Sequence, residues 1–391
     1  MASQATIYPS IDTPAVIIDM DKLEQNIREM SSVATEAGLK IRPHIKVHGS
    51  AEIAEMQLKP GACGVEVGPI AQAEAMVNVG IYDVLIAHPF YGDHKLGILK
   101  RILERPETRV IIVVDMIEQA EGISQVAQSV GRTVDLVIKI DTSLEEGGLH
   151  RFGTAPGEPT LNLAQKLSKL SGVNFIGIYG HEMGSDSSPE GRDRTAYMTA
   201  RVMCRTAREL RKAGFGIEHV SVGATPTFHS TCRYKKEGKF PEITEIHPGH
   251  CVIGDIMYIL KGGEILESCV VTVLSTVVST SHDELAVIDA GFKALGLDPL
   301  IEAKDKPGFR WQGMARMGVI KGRPELFLGI LGAESGLLFY MKPGSRLELG
   351  QRLEIIPNNV TVVLNSHDQI YGVRKGEIEK VISVTGRGKG N

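Results

Sequence analysis

Along the first two thirds of the chain, short β-branched runs alternate with longer amphipathic stretches. The apolar runs predict strands over 15–18, 41–46, 64–67, 84–87, 110–114, 136–140, 175–179 and 220–222, and apolar positions recurring every three or four residues predict helices over 21–37, 70–79, 161–170 and 192–213. Strand, helix, strand at this spacing is the pattern of parallel βαβ units. Eight such strands within about 240 residues suit a closed (β/α)8 TIM-like barrel, whose usual size is roughly 250 residues. An open doubly wound sheet is the alternative. From about residue 265 the rhythm changes, because runs at 269–280, 284–288, 346–356, 360–364 and 370–373 read as strands with no long helix between them. The expected protein is thus α/β, with a barrel over 1–264 and an antiparallel β domain over 265–391.

Composition narrows the classes of function. With 391 residues, 42% hydrophobic and 23% charged, the chain has material for a large core and a second, smaller domain. A net charge of −4 without a block of like charges argues against nucleic acid or an anionic membrane surface as the partner. Cys63, Cys204, Cys232, Cys251 and Cys269 are scattered and show no Cys-x-x-Cys spacing, which speaks against a disulfide framework or zinc knuckle. The opening Met1-Ala2-Ser3-Gln4 has no basic or apolar segment of a signal peptide, and runs such as 110–114 are too short to span a bilayer. A cytoplasmic protein is the expectation.

Four segments carry candidate chemistry. Arg42-Pro43-His44-Ile45-Lys46-Val47-His48 ends a candidate strand, where barrels place their reactive groups. Lysine is the side chain whose basicity falls readily on desolvation, as Schiff-base chemistry requires; a solvated lysine opening a loop is the plainer reading. Ser221-Val222-Gly223-Ala224-Thr225-Pro226-Thr227 follows another strand with small residues and hydroxyls that let backbone N–H groups approach a phosphate, or else forms a simple turn. His247-Pro248-Gly249-His250 is a second phosphate-facing loop or a strand-to-helix corner. Asp289-Ala290-Gly291 reads as a turn.

Taken together and in order, these motifs resemble the fold-type III pyridoxal-phosphate enzymes, and among them the family of D-threonine aldolase, D-serine dehydratase and 3-hydroxyaspartate aldolase. Thr13-Pro14-Ala15 with Asp19, Leu23 and Asn26 is similar to the family's first strand and helix, and Arg42-Pro43-His44-x-Lys46 to its cofactor-lysine motif. Ile178-Tyr179-Gly180-His181-Glu182 stands where the family has a Tyr/His-rich strand end. The loop from Ser221 to Thr227 resembles its phosphate loop with Ala224 in place of a serine, and His247 stands where Arg-Pro-Gly is usual. The resemblance implies that Lys46 holds pyridoxal phosphate as a Schiff base and that Gly223, Ala224, Thr225 and Gly249 cradle its phosphate. It implies further cofactor contacts from His44, Arg151, Tyr179, Ser221, His247 and His250, an amino-acid substrate and a homodimer.

One departure shapes the functional expectation. The family binds a divalent metal through His-x-Cys or His-x-Asp after Pro-Asn, yet here the stretch reads Pro357-Asn358-Asn359-Val360-Thr361. Neither the Asn359 amide nor the Thr361 hydroxyl is a strong ligand for such an ion. Ser335 likewise replaces a family histidine. The expectation is a metal-free lyase cleaving Cα–Cβ of D-β-hydroxy-α-amino acids, with a histidine as general base: His181 first, then His48, His229 or His250. His367 also lies nearby in sequence. Three other readings stay open: a racemase using Lys46 with His181 or Tyr179 on the opposite face, a D-serine or 3-hydroxyaspartate dehydratase, and a non-catalytic cofactor carrier. A stretch at 143–148, between Asp141 and Arg151, interrupts a compact family turn.

Overall fold

The computed structural model describes residues 7–143, 152–182, 186–261, 266–298 and 309–390. Its contacts divide the chain into two compact units, one of Ile27–Lys46, Ala51–Gly249 and Gly388–Asn391, the other of Met1–Asn26, Val47–Ser50 and His250–Arg387.

The first unit is a (β/α)8 barrel. Its strands are β2 (Lys40–Ile41), β3 (Val65–Val67), β4 (Asp83–Ile86), β5 (Arg109–Val114), β6 (Val134–Ile140), β7 (Val173–His181), β8 (His219–Gly223) and β9 (Glu245–Ile246). They pair in parallel in the order β2-β9-β8-β7-β6-β5-β4-β3, and a parallel bridge between His44 and Glu66 joins the two ends. The crossovers carry α2 (Ala51–Leu58), α3 (Ile70–Asn78), α4 (Asp93–Leu103), α5 (Ile117–Ser129), α6 (Glu158–Leu167), α7 (Pro189–Lys212) and α8 (Phe228–Lys236), and α1 (Met20–Glu36) leads into β2. Helices outside and side chains inside bury both faces of each strand, which is why β5 reads as the unbroken run Val-Ile-Ile-Val-Val. Leu85, Ala87, Ile111, Val113, Val137 and Tyr179 pack together as one apolar cluster of this unit.

The second unit is a mainly antiparallel sheet. The strand β1 (Ala15–Asp19) opens it, and the strands β10 (Val271–Ser279) and β11 (Leu285–Ile288) follow. A short hairpin of β12 (Arg310–Trp311) and β13 (Met314–Ala315) precedes β14 (Gly318–Ile320), β15 (Leu326–Leu331), β16 (Gly336–Tyr340), β17 (Arg352–Pro357), β18 (Gln369–Arg374) and β19 (Glu377–Ser383). The order is β15-β16-β11-β10-β1-β18-β19, with β17 beside β10 and β14. Short helices α9 (Ile256–Leu260), α10 (Phe292–Leu295) and α11 (Val360–Ser366) complete it.

Two sequence expectations are corrected. The run at 15–18 is no barrel strand: β1 pairs antiparallel with β10 and parallel with β18. An apolar run buried on both sides says nothing about which sheet holds it. The eighth barrel strand is instead β9, whose two residues are too few to show a period. The run at 360–364 is helical, because Asn359 caps it by accepting the Thr361 N–H (3.1 Å) and Asp255 accepts the Val360 N–H (3.0 Å). Capping outweighs the weak strand preference of its valines. Among the described residues no helix is long and apolar enough to cross a membrane.

Candidate active site

Lys46 lies in a single 3-10 turn, Ile45–Val47, at the C-terminal end of β2. Ile45 and Val47 are fully buried and pin the turn, while Lys46 itself is exposed. The lysine, with His44, His88, Lys139, Asp141, Phe152, Tyr179 and His181, lines an open hollow at the ends of β2, β6 and β7. Asp141 accepts both the hydroxyl (2.5 Å) and the N–H (3.0 Å) of Ser143, and Thr142 donates its hydroxyl to the His181 carbonyl (3.0 Å).

Behind that hollow runs a buried polar network. The strand registers set Lys139 beside Tyr179, Tyr179 beside Ser221, and Ser221 beside Glu245, so one row of polar side chains crosses four strands. Tyr179 donates its hydroxyl to Glu66 (2.8 Å) and its ring stacks on His247 at 4.3 Å and 11°. The Lys139 ammonium lies 4.4 Å from the centre of the Tyr179 ring, within reach of a cation–π contact. His44 Nε2 is 3.6 Å from Glu66, and His247 Nδ1 is 3.8 Å from its other oxygen and 2.8 Å from the Ser221 hydroxyl. Burial, reinforced by Lys46 and neighbouring histidines, holds the His44 imidazole well below its ordinary range. Burial, with His181 and Lys139, does the same to His247. Burial also pushes the Glu66 carboxyl up, against the Tyr179 hydrogen bond and the Lys46 charge.

Two loops close beside this network. A Cβ on Gly223 would stand 2.8 Å from the backbone nitrogen of His247, so only glycine lets the end of β8 meet the loop after β9. The Gly249 N–H donates to the Thr225 hydroxyl (3.1 Å), and Thr227 folds back onto the Ala224 carbonyl (3.0 Å). The structure thus joins Gly223, Ala224, Thr225, His247 and Gly249 in one region, and Lys46, His44, Tyr179 and His181 in the hollow.

Other candidates sit elsewhere. His48 is fully buried and accepts the Ser50 N–H (3.2 Å); His229 is exposed on α8. In the second unit His250 Nε2 is 3.6 Å from Asp255 and 3.4 Å from the Thr361 hydroxyl. Asn359 spends its side-chain oxygen on its helix cap, and His367 Nε2 meets the Ala294 carbonyl (3.2 Å). Asp289 accepts from the Ser275 hydroxyl (2.7 Å) and the Thr276 N–H (2.9 Å), a structural task. Among the described residues no group of three or more His, Cys, Asp or Glu is arranged to hold a metal ion. Arg151 and the stretch 144–148 lie outside the described residues.

Motif reading passed over Glu66, Lys139, Asp141 and Glu245. Their shared signal is a polar side chain next to an apolar one inside a barrel strand or at its C-terminal end, as in the Val-Glu-Val of β3.

The family described as alanine racemase, N-terminal domain, matches residues 18–256, and the family described as putative serine dehydratase domain matches residues 270–373. The chain is 28% identical over 386 residues to a D-threonine aldolase of Arthrobacter sp, covering 97% of this chain and 93% of that one. It is 29% identical over 360 residues to a D-threo-3-hydroxyaspartate dehydratase of Delftia sp. (strain HT23), covering 90% and 91%. The crystal structure of D-threonine aldolase from Filomicrobium marinum matches with a TM-score of 0.85 at 28% identity, covering 100% of both chains.

Proposed function

The chain belongs to the alanine racemase N-terminal domain family, and from that membership we infer a pyridoxal-phosphate-dependent lyase that cleaves the Cα–Cβ bond of D-β-hydroxy-α-amino acids. The observation that carries this reading is the exposed Lys46 on a pinned turn, facing a hollow it shares with His181 and backed by buried aromatic and imidazole rings. These residues fit the cofactor. Lys46 would hold its aldehyde carbon, and the small-residue turns at Gly223, Ala224, Thr225 and Gly249 would hold its phosphate, with the Gly249 N–H turning from the Thr225 hydroxyl to the phosphate. The His247 Nε2, buried without a hydrogen-bond partner among the described residues, is a polar atom available to a ligand. When bound, the cofactor supplies an electron sink for the charge left at Cα.

The chain's own residues do the rest. His181, half-buried at the end of β7, takes the proton of the substrate β-hydroxyl as general base. The Cα–Cβ bond then breaks, the former hydroxyl oxygen leaves within an aldehyde, and Cα takes up a proton to give glycine. Tyr179 orients its neighbours, since its hydroxyl is committed to Glu66.

The family's divalent metal does not fit this chain. Asn359 and Thr361 offer an amide and a hydroxyl, and the amide oxygen already caps α11. No step is assigned to a metal.

The test is a visible spectrum of protein reconstituted with pyridoxal phosphate, alongside Lys46→Ala, with D- and L-β-hydroxy amino acids added. A cofactor band present only with Lys46 and perturbed by the D series supports the reading. An identical band in Lys46→Ala refutes it, and a band that no amino acid perturbs points to a carrier.

A further inference from the structure

Glu66 belongs to no motif, yet it is the one charged side chain of β3 and is wholly buried. A carboxyl taken from water is costly unless its oxygens find partners. Its first oxygen receives the Tyr179 hydroxyl (2.8 Å) and faces His44 Nε2 (3.6 Å). Its second has no hydrogen-bond partner among the described residues and lies 3.8 Å from His247 Nδ1. The Lys46 N–H donates to His44 Nδ1 (3.4 Å), which leaves the ring proton on Nε2, the side facing Glu66. A chain of polar groups therefore runs from the Glu66 carboxyl, through the His44 ring, to the backbone of Lys46.

We propose that Glu66 is a positioning residue for the Lys46 turn, orienting His44 and Tyr179 together and sharing a proton with them, so that its ionisation sets the charge beside the lysine. The proposal rests on Lys46 as the cofactor lysine. Facing the carboxyl are Tyr179 from β7, His44 and Lys46 from the turn after β2, His247 after β9, Lys139 from β6 and Glu245 from β9. Burial that favours the neutral carboxyl, opposed by Tyr179 and Lys46, brings this group into a range where it exchanges its proton.

Glu66→Gln keeps the shape and the acceptor for Tyr179 but cannot ionise. In cofactor-loaded protein, the pH midpoint of the visible absorbance should fall by about one unit or more, because a carboxylate no longer steadies positive charge near Lys46. In protein without cofactor, nitrogen NMR of His44 should show the ring proton on Nε2, and the pH-dependent movement of that signal should vanish in the variant. A measurement on the unaltered protein covers a variant that fails to fold: the His44 Nε2 shift should move once with pH while the ring stays neutral. An unmoved midpoint with a His44 signal that still moves with pH in the variant, or a flat pH trace in the unaltered protein, overturns the proposal. A moving His44 signal in a protein that shows no Lys46-dependent band would uphold the Glu66–His44 link and refute the lysine reading instead.

Discussion

Glu66 and Glu245 are both buried on strands of the same barrel, β3 and β9, yet their surroundings differ sharply. Glu245 accepts from Arg42 Nε (3.1 Å) and from the Cys63 thiol (3.2 Å), and His219 Nε2 stands 3.6 Å away. Arg42 in turn reaches Asp83 (2.6 Å). Burial pushes the Glu245 carboxyl up, but Arg42, His219 and Cys63 outweigh it and hold the group below its ordinary range. The same carboxylate, after burial, helps push the Cys63 thiol up to about 12. Among the described residues Glu66 has no guanidinium beside it; a tyrosine, two histidines and more distant lysines face it, and its carboxyl goes up. A paired buried charge serves as structure, whereas a buried acid left with titratable neighbours retains a proton it can exchange.

The contrast can be broken first at its strongest link. Arg42→Met leaves Glu245 as a buried carboxylate without its cation, and stability should fall by about 3–5 kcal/mol in chemical denaturation. The corresponding loss from Glu66→Gln should be much smaller, since Glu66 has no such cation. Ser221 stands between the two acids, with its hydroxyl 2.8 Å from His247 Nδ1 and 3.4 Å from Glu245. Ser221→Ala removes one buried hydrogen bond and should cost about 1–3 kcal/mol. It should also shift the visible absorbance of the loaded protein, because the ring behind Tyr179 loses its tether.

The third prediction concerns pH, and its sign differs between the two acids. Stability rises with pH wherever the unfolded chain binds more protons. Glu245 has a lowered folded value, so its contribution is present above the ordinary carboxylate range and is lost as pH falls through that folded value. Glu66 has a raised folded value, so the folded state holds its proton more tightly and stability declines as pH rises through the folded value. Glu245→Gln should therefore flatten the acid limb of a stability–pH curve and Glu66→Gln the alkaline limb. If both substitutions flatten the same limb, the distinction between the two acids fails.

The sequence disclosed this site unevenly. The barrel was legible because strands such as β5, buried on both faces, read as unbroken apolar runs. Lys46 was legible because its neighbours form a compact ordered motif, although the strand expected over 41–46 stops at Ile41 and the lysine sits in the 3-10 turn beyond it. The placement of β1 was hidden by the same property that revealed β5, since five largely buried residues fit either sheet. The helix at α11 was masked by its valines and depends on Asp255, a residue 105 positions away in sequence. Glu66 was invisible for a related reason. A lone acid in a three-residue strand acquires meaning only when Tyr179, His44 and His247 converge on it from three other barrel segments.

The most direct test of the central claim is aldehyde release from D-threonine and D-3-hydroxyaspartate by the cofactor-loaded protein after exhaustive EDTA treatment, measured beside Lys46→Ala. The account predicts aldehyde plus glycine from at least one of the two, unchanged within about twofold by EDTA, and a loss of about a thousandfold or more in the variant. Cleavage that EDTA abolishes and a divalent metal restores would show that a metal acts despite Asn359 and Thr361. Cleavage that survives Lys46→Ala would contradict the assignment of the lysine itself.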